Sequence, residues 1–198
     1  MLLTPHIVLQ CLPADALLTV LEEDGATSVR PVASVSHGTQ VLTSAGYSPI
    51  YLFSHYAPHA ITPMRRLETM QGYAVELSPL HYIEEQGAGA MFAKDITLGH
   101  VLSVRDTDGM QGWATVTKAS TVYKRGLFSP FTLQGDLVVA THRNTSTGIV
   151  VSDQSEWFAE GYLPTRYIPT LYHGLLAPVR GLFALDPAWV RSARTTGS

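Results

Sequence analysis

Ala33-Ser-Val-Ser-His-Gly38-Thr-Gln-Val41 and Lys94-Asp-Ile-Thr-Leu-Gly99-His-Val-Leu102 are two versions of one pattern, at a constant offset of 61 residues from Ala33 to Lys94. Each has an apolar residue three before its glycine and another three after it, and each leads into a β-rich run. A pattern repeated at this distance predicts a duplicated β half, so the body should consist of two related halves, roughly 11–80 and 81–156.

The sequence around these copies reads as strands. Leu17–Leu21 precedes Glu22-Glu-Asp-Gly25, a turn signal, with Ala26 to Val32 as its return strand. Val41–Thr43, Ile50–Phe53, Tyr73–Leu77, His100–Val104, Trp113–Thr117 and Leu137–Val139 are short runs rich in β-branched and aromatic residues, and Asp106-Thr-Asp-Gly109 is a further turn. No long 3.6-residue period occurs before residue 155, so the body is expected to be all-β. After it, Trp157-Phe158, Leu163, Tyr167-Ile168, Leu171-Tyr172, Leu175-Leu176, Val179, Leu182-Phe183 and Leu185 recur at three-to-four spacing. That is the period of an amphipathic helix, or of two short ones broken at Pro169 and Pro178. Such a segment either packs on the β body or walls an apolar ligand.

Composition narrows the function classes. The 198 residues are 45% hydrophobic and 15% charged, too apolar for disorder. A net charge of −3 offers nothing toward nucleic acid or an acidic membrane surface. With one cysteine, neither an intrachain disulfide nor a multi-cysteine zinc site can form. No apolar stretch approaches the roughly 20 residues of a membrane span. Residues 1–10 carry no basic leader and are broken by Pro5, which argues against a signal peptide. Phosphate-cradling glycine loops and the Gly-x-Ser-x-Gly nucleophile elbow are missing from the sequence.

The lone Cys11 is read either as a small buried hydrophobe or as a reactive thiol. Ser78-Pro-Leu-His81, just past a strand, places a hydroxyl and an imidazole three apart, able to aim at one point. Together these segments resemble the hedgehog C-terminal autoprocessing domain of the hedgehog/intein (Hint) superfamily. Cys11-Leu-Pro-Ala-Asp-Ala-Leu-Leu-Thr-Val20 is similar to its opening Cys-Phe-Pro-Gly-(Ser/Asp)-Ala-x-Val. Val32 to Leu42 is similar to Leu-x-x-Gly-Asp-x-Val-Leu, and Glu76-Leu-Ser-Pro-Leu-His81 to the Leu-Thr-x-x-His block. Ser129-Pro-Phe-Thr-Leu-Gln-Gly-Asp-Leu-Val-Val139 resembles Ala-Pro-Leu-Thr-x-x-Gly-x-Ile-x-Val, and Gly148-Ile-Val-Val-Ser-Asp153 the strand that follows.

The resemblance implies a Hint-type disc or horseshoe of two pseudo-twofold β halves, with a C-terminal helical segment. It also implies single-turnover self-cleavage between Gln10 and Cys11. Cys11 would be the nucleophile, Ser78 would hold the scissile peptide, and His81 would protonate its departing nitrogen. Residues 1–10 would be the remnant of an upstream segment, 11–156 the processing domain, 157–190 a sterol-recognition-like region and 191–198 a tail. In that region Trp157, Phe158, Tyr167, Leu171 and Tyr172 are the expected sterol contacts.

This chain departs from the family pattern at four places. Ser78 replaces threonine, Gln10 replaces glycine, His55 stands where an aspartate serves as base, and Asp153 stands where a second cysteine is found. Ala140–Thr147 resembles an insertion. A neutral imidazole is a competent base near pH 7, so His55 is expected to activate the acceptor, with Asp153 orienting His55 or His81. No cofactor is expected; a sterol is the expected co-substrate and water the alternative acceptor. Cys11, His81 and Asp153 are a donor set that zinc would occupy as an inhibitor. An inactive lipid-binding or interaction domain is the reading outside catalysis, and splicing through His142-Arg-Asn144 is disfavoured by the intervening arginine. The chain is expected to be monomeric, with possible membrane proximity through its C-terminal segment. The family works in the secretory pathway, but this sequence carries no address of its own.

Overall fold

The computed structural model describes residues 11–105, 109–143, 147–153 and 167–185. Eleven strands carry the body: β1 (Leu17–Leu21), β2 (Thr27–Pro31), β3 (Gln40–Thr43), β4 (Gly46–Thr69), β5 (Ala74–Leu77), β6 (Tyr82–Glu85), β7 (Gly89–Phe92), β8 (Val101–Arg105), β9 (Gln111–Thr132), β10 (Asp136–Ala140) and β11 (Gly148–Ser152). They form one antiparallel sheet ordered β10-β1-β3-β4-β9-β8-β11-β6-β7, with β2 beside β1 and β5 beside β4. Because β10 also pairs with β11, the sheet curls back on itself. The inward faces supply one core, including Leu12, Leu18, Ile50, Leu67, Leu77, Ile83, Leu102, Phe128 and Ile149.

The first hairpin forms as its sequence predicts. Gly25 takes φ +83, which an L side chain resists, and Asp24 Oδ1 accepts the Ala26 N–H at 2.9 Å. The two long strands are the surprise. β4 runs through Pro49, Pro58 and Pro63, and it pairs with β9 from Ile50↔Thr132 to Thr69↔Val116 with four register shifts. Each irregularity frees backbone groups from strict pairing and bends the ribbon, which lets proline sit within it.

The repeat is real and larger than the sequence pattern. Short 3-10 turns at Val32–Ser34 and Ala93–Asp95 lead into β3 and β8, and Gly38 (φ +83) and Gly99 (φ +90) take the same backbone conformation. Equivalent hydrogen bonds follow: Gly38 N–H donates to Ile50 O at 2.8 Å, and Gly99 N–H to Val116 O at 2.9 Å. The second copy opens at β5, before residue 81. Leu12 bridges Phe128 on β9, whereas Leu77 of β5 pairs with Arg65 on β4. Each copy's opening segment thus lies against the other copy's long strand, a reciprocal exchange around a pseudo-twofold axis.

Two helices, α1 (Ile168–Leu175) and α2 (Ala177–Leu185), follow. Pro169 and Pro178 start these helices rather than break them, since a first-turn N–H has no intrahelical partner to lose. Leu171 and Tyr172 of α1 pack on Tyr82 and Phe92, whose rings stack at 4.8 Å. Leu176, Val179 and Phe183 pack on Tyr51 and Phe131. Among the described residues, no helix is long and apolar enough to cross a membrane.

Candidate active site

Cys11 enters the body as an extra strand residue. Leu12 and Phe128 exchange both backbone hydrogen bonds, at 2.8 and 3.0 Å, and Ala14 N–H donates to Arg125 O at 2.9 Å. Gly126 permits this approach: a Cβ there would lie 2.6 Å from the Ala14 Cβ and 3.0 Å from the Ala14 nitrogen. On its other edge Cys11 meets Ser78. Cys11 N–H donates to Ser78 Oγ at 2.8 Å, and Ser78 N–H donates to Cys11 O at 2.9 Å. The nitrogen so held is that of the 10–11 peptide bond. Both residues are completely buried. Burial alone pushes the thiol up to about 12, so sulfur keeps its proton at neutral pH until a base removes it.

His81 lies one turn from Ser78, with its N–H donating to Ser78 O at 3.0 Å. The ring is 3% exposed. Its Nε2 bonds the Ser152 carbonyl at 2.8 Å. A carbonyl only accepts, so Nε2 carries the hydrogen and Nδ1 presents a lone pair. Nδ1 has no partner. Burial drives this imidazole down to about 4, outweighing the opposing pull of the Ser152 carbonyl. His81 is therefore neutral at rest, and a proton placed on Nδ1 leaves readily.

Asp153 follows Ser152 and is 3% exposed. Its carboxylate accepts from Thr132 N–H at 2.5 Å and from Thr132 Oγ1–H at 2.9 Å. The imidazole of His81 is oriented by the Ser152 carbonyl, while these Asp153 bonds tie the end of β11 to β9. The turn after Thr132 is roofed by α1: a Cβ on Gly135 would lie 2.8 Å from His173 Nδ1. His55 sits on β4, half-buried and paired with Ser129 of β9, and desolvation lowers its pKa. It remains a neutral base at pH 7.

The structure thus joins Cys11 to the turn that carries Ser78 and His81, with Asp153 next in the chain to the Ser152 that bonds His81, and His55 two strands from Cys11. Of the expected sterol contacts, Tyr172 is 4% exposed and packed inward with Leu171, and Tyr167 is half exposed. Gln10, Trp157 and Phe158 lie outside the described residues, as do residues 106–108 of the second expected turn and the middle of the 140–147 segment. Among the described residues, no three His, Cys, Asp or Glu side chains gather as metal ligands would. Sequence reasoning missed the Ser152 carbonyl, which a backbone group leaves no signal for, and Thr132, whose role depends on β11 lying beside it.

Comparison with known proteins agrees with the fold. The Hint module family matches residues 6–180, and the chain belongs to that family. Its sequence relatives are of the hedgehog kind. Protein hedgehog of Drosophila virilis is 28% identical over 182 residues, which cover 87% of this chain and 34% of that protein. Warthog protein 1 of Caenorhabditis elegans is 27% identical over 119 residues, covering 56% of this chain and 24% of that one. The chain spans between about a quarter and a third of these relatives. The gp41-1 intein shares the fold at a TM-score of 0.54 and 14% identity, over 72% of this chain and 98% of the intein. An intein from a hyperthermophile does so at 0.58 and 13%, over 72% and 99%. The fold is that of the Hint module.

Proposed function

We propose that this domain cleaves the Gln10–Cys11 peptide bond through a thioester and passes the upstream acyl group to an acceptor hydroxyl, that of a sterol. The observation that carries the reading is the hydrogen bond from Cys11 N–H to Ser78 Oγ, with the bare Nδ1 of His81 in the same turn. The Cys11 sulfur attacks the Gln10 carbonyl carbon and gives its proton to Nδ1. That proton then passes to the Cys11 nitrogen as the carbon–nitrogen bond breaks, leaving the acyl group on sulfur. An imidazole held near pKa 4 is a strong donor once loaded, which suits expulsion of an amine. Ser78 keeps the nitrogen in place throughout.

In the second step the acceptor oxygen attacks the thioester and His55 takes its proton. A sterol as acceptor is supported by the hedgehog-type relatives and by the apolar residues that α1 and α2 turn outward: Tyr167, Leu175, Leu182 and Leu185 are all more than half exposed. Water is the competing acceptor, favoured by the substitution of His55 for the family's aspartate. Incubation of the purified chain with dithiothreitol, and separately with cholesterol in detergent micelles, tests both. Mass measurement should find a new N-terminus at Cys11 and an upstream fragment heavier by one sterol. Cys11→Ala should remain uncleaved in every condition. A wild-type chain that stays intact with both reagents would overturn the proposal.

A further inference from the structure

The opening segment, β9 and β4 lie side by side, and their registers define one row of side chains. Leu12 is opposite Phe128, so antiparallel pairing places Cys11 abreast of Ser129. Ser129 is in turn opposite His55, and Phe128 opposite Tyr56. Directly opposed residues share a face. Leu12, Phe128 and Tyr56 take one face, where the Phe128 and Tyr56 rings meet at 4.9 Å. Cys11, Ser129 and His55 take the other.

Leu12 and Phe128 exchange both backbone bonds, whereas Cys11 turns its own N–H and C=O toward Ser78. Cys11 and Ser129 are therefore a non-hydrogen-bonded pair, the type whose Cα atoms approach to about 4.5 Å with side chains closest. Cys11 and His55 are two strands apart, about 10 Å between Cα atoms at the usual strand spacing. A residue between them must connect them, and Ser129, abreast of both and 4% exposed, is the residue in that position.

We infer that Ser129 is a proton relay between His55 and the Cys11 sulfur, acting when the thioester is resolved. This rests on the function proposed above and concerns its second step. The acceptor oxygen forms its bond to the acyl carbon and its proton goes to His55. As the carbon–sulfur bond breaks, His55 gives a proton to the Ser129 oxygen while the Ser129 hydroxyl gives its own to sulfur. The products are an ester, or an acid when water attacks, together with a neutral Cys11 thiol and neutral His55. A donor is needed at sulfur because a thiolate in this buried position is a poor leaving group, as the thiol's rise to about 12 reflects.

The test separates the two steps. Ser129→Ala should form the thioester at the wild-type rate, measured by acid quench into denaturant followed by thiolysis of the unfolded chain, where the folded site no longer acts. Resolution with cholesterol micelles or with water should fall roughly a hundredfold, the order expected for losing a positioned proton transfer. Ser129→Thr, which keeps the hydroxyl, should restore resolution. In a His55→Ala background the Ser129→Ala change should cost nothing further. Equal slowing of both steps, failure of threonine to rescue, or additive losses with His55→Ala would each overturn the relay. A wild-type chain without thiol-induced cleavage would instead overturn the function on which it rests.

Discussion

Two turns of the same shape teach different lessons. Pro13-Ala-Asp-Ala16 and Ser78-Pro-Leu-His81 occupy equivalent places in the two copies. Ala16 N–H donates to Pro13 O at 3.0 Å as His81 N–H does to Ser78 O. Val32 N–H then bonds Ala16 O at 2.7 Å as Ala93 N–H bonds His81 O at 2.9 Å. Only the side chains differ. The second turn presents a hydroxyl to the Cys11 nitrogen and carries a buried imidazole three residues on. The first borders an open pocket of about 390 Å³ whose lining includes Asp15, Arg66, Glu76 and Lys124. There Lys124 bridges Asp15 at 2.6 Å and Glu76 at 2.8 Å, and Arg66 bonds Glu76 and Glu68. One backbone design thus carries the proposed chemistry in one copy and charge pairing in the other.

The largest contrast between the turns should come from His81→Ala. Thiol-induced cleavage should fall by about two to four orders of magnitude, the range for losing a general acid–base group. Gel densitometry over hours to days measures it, and a loss under tenfold would erase the chemical distinction between the turns.

Acid should expose the same distinction in stability. His81 binds a proton near pH 6.5 when unfolded and near 4 when folded. The unfolded chain therefore holds more protons between those values, and stability is lost as pH falls through that window. The loss amounts to about 3 kcal/mol. Urea melts at pH 7.5 and 4.0 should show it, and His81→Gln should flatten the difference.

Ser78→Ala should be milder, costing the cleavage step about 1–3 kcal/mol, or roughly ten- to a hundredfold in rate, because the Cys11 N–H is left buried and unpaired. Ser78→Thr should retain most of the rate. Smallest of all should be Glu76→Gln, which weakens the ion-paired cluster by about 1 kcal/mol or less. A lower melting temperature with unchanged cleavage is expected. A change in cleavage rate would mean that the two turns communicate.

Much of this was legible beforehand. The strands of the first hairpin, the glycine-centred repeat and the triad Cys11, Ser78 and His81 follow from periodicity, turn residues and the resemblance carried by the motif blocks. Other features were not. The 24-residue β4 reads as the short run Ile50–Phe53 because three prolines interrupt it, and only its bulges and its pairing with β9 make one strand of it. β6 and β7 leave little signal: Tyr82–Glu85 and Gly89–Phe92 are four-residue strands with weak alternation, stabilised by their neighbours. The equivalence of the turns at 13–16 and 78–81 is invisible in residue identity, because hydrogen-bonded backbone geometry tolerates Pro-Ala-Asp-Ala and Ser-Pro-Leu-His alike.

Residue types and their local order determined that the chain is a β-rich duplicated domain with one thiol, and which hydroxyl and imidazole stand three apart. That information is local, written in alternation, turn chemistry and spacing. Tertiary structure decided what those groups meet. Crossing each copy's opening segment onto the other copy's long strand brings residue 11 against residue 78 and abreast of residue 129. The end of β11 then supplies the carbonyl that selects which ring nitrogen of His81 stays bare. Register between distant strands follows from how the core closes, and no window of sequence contains it.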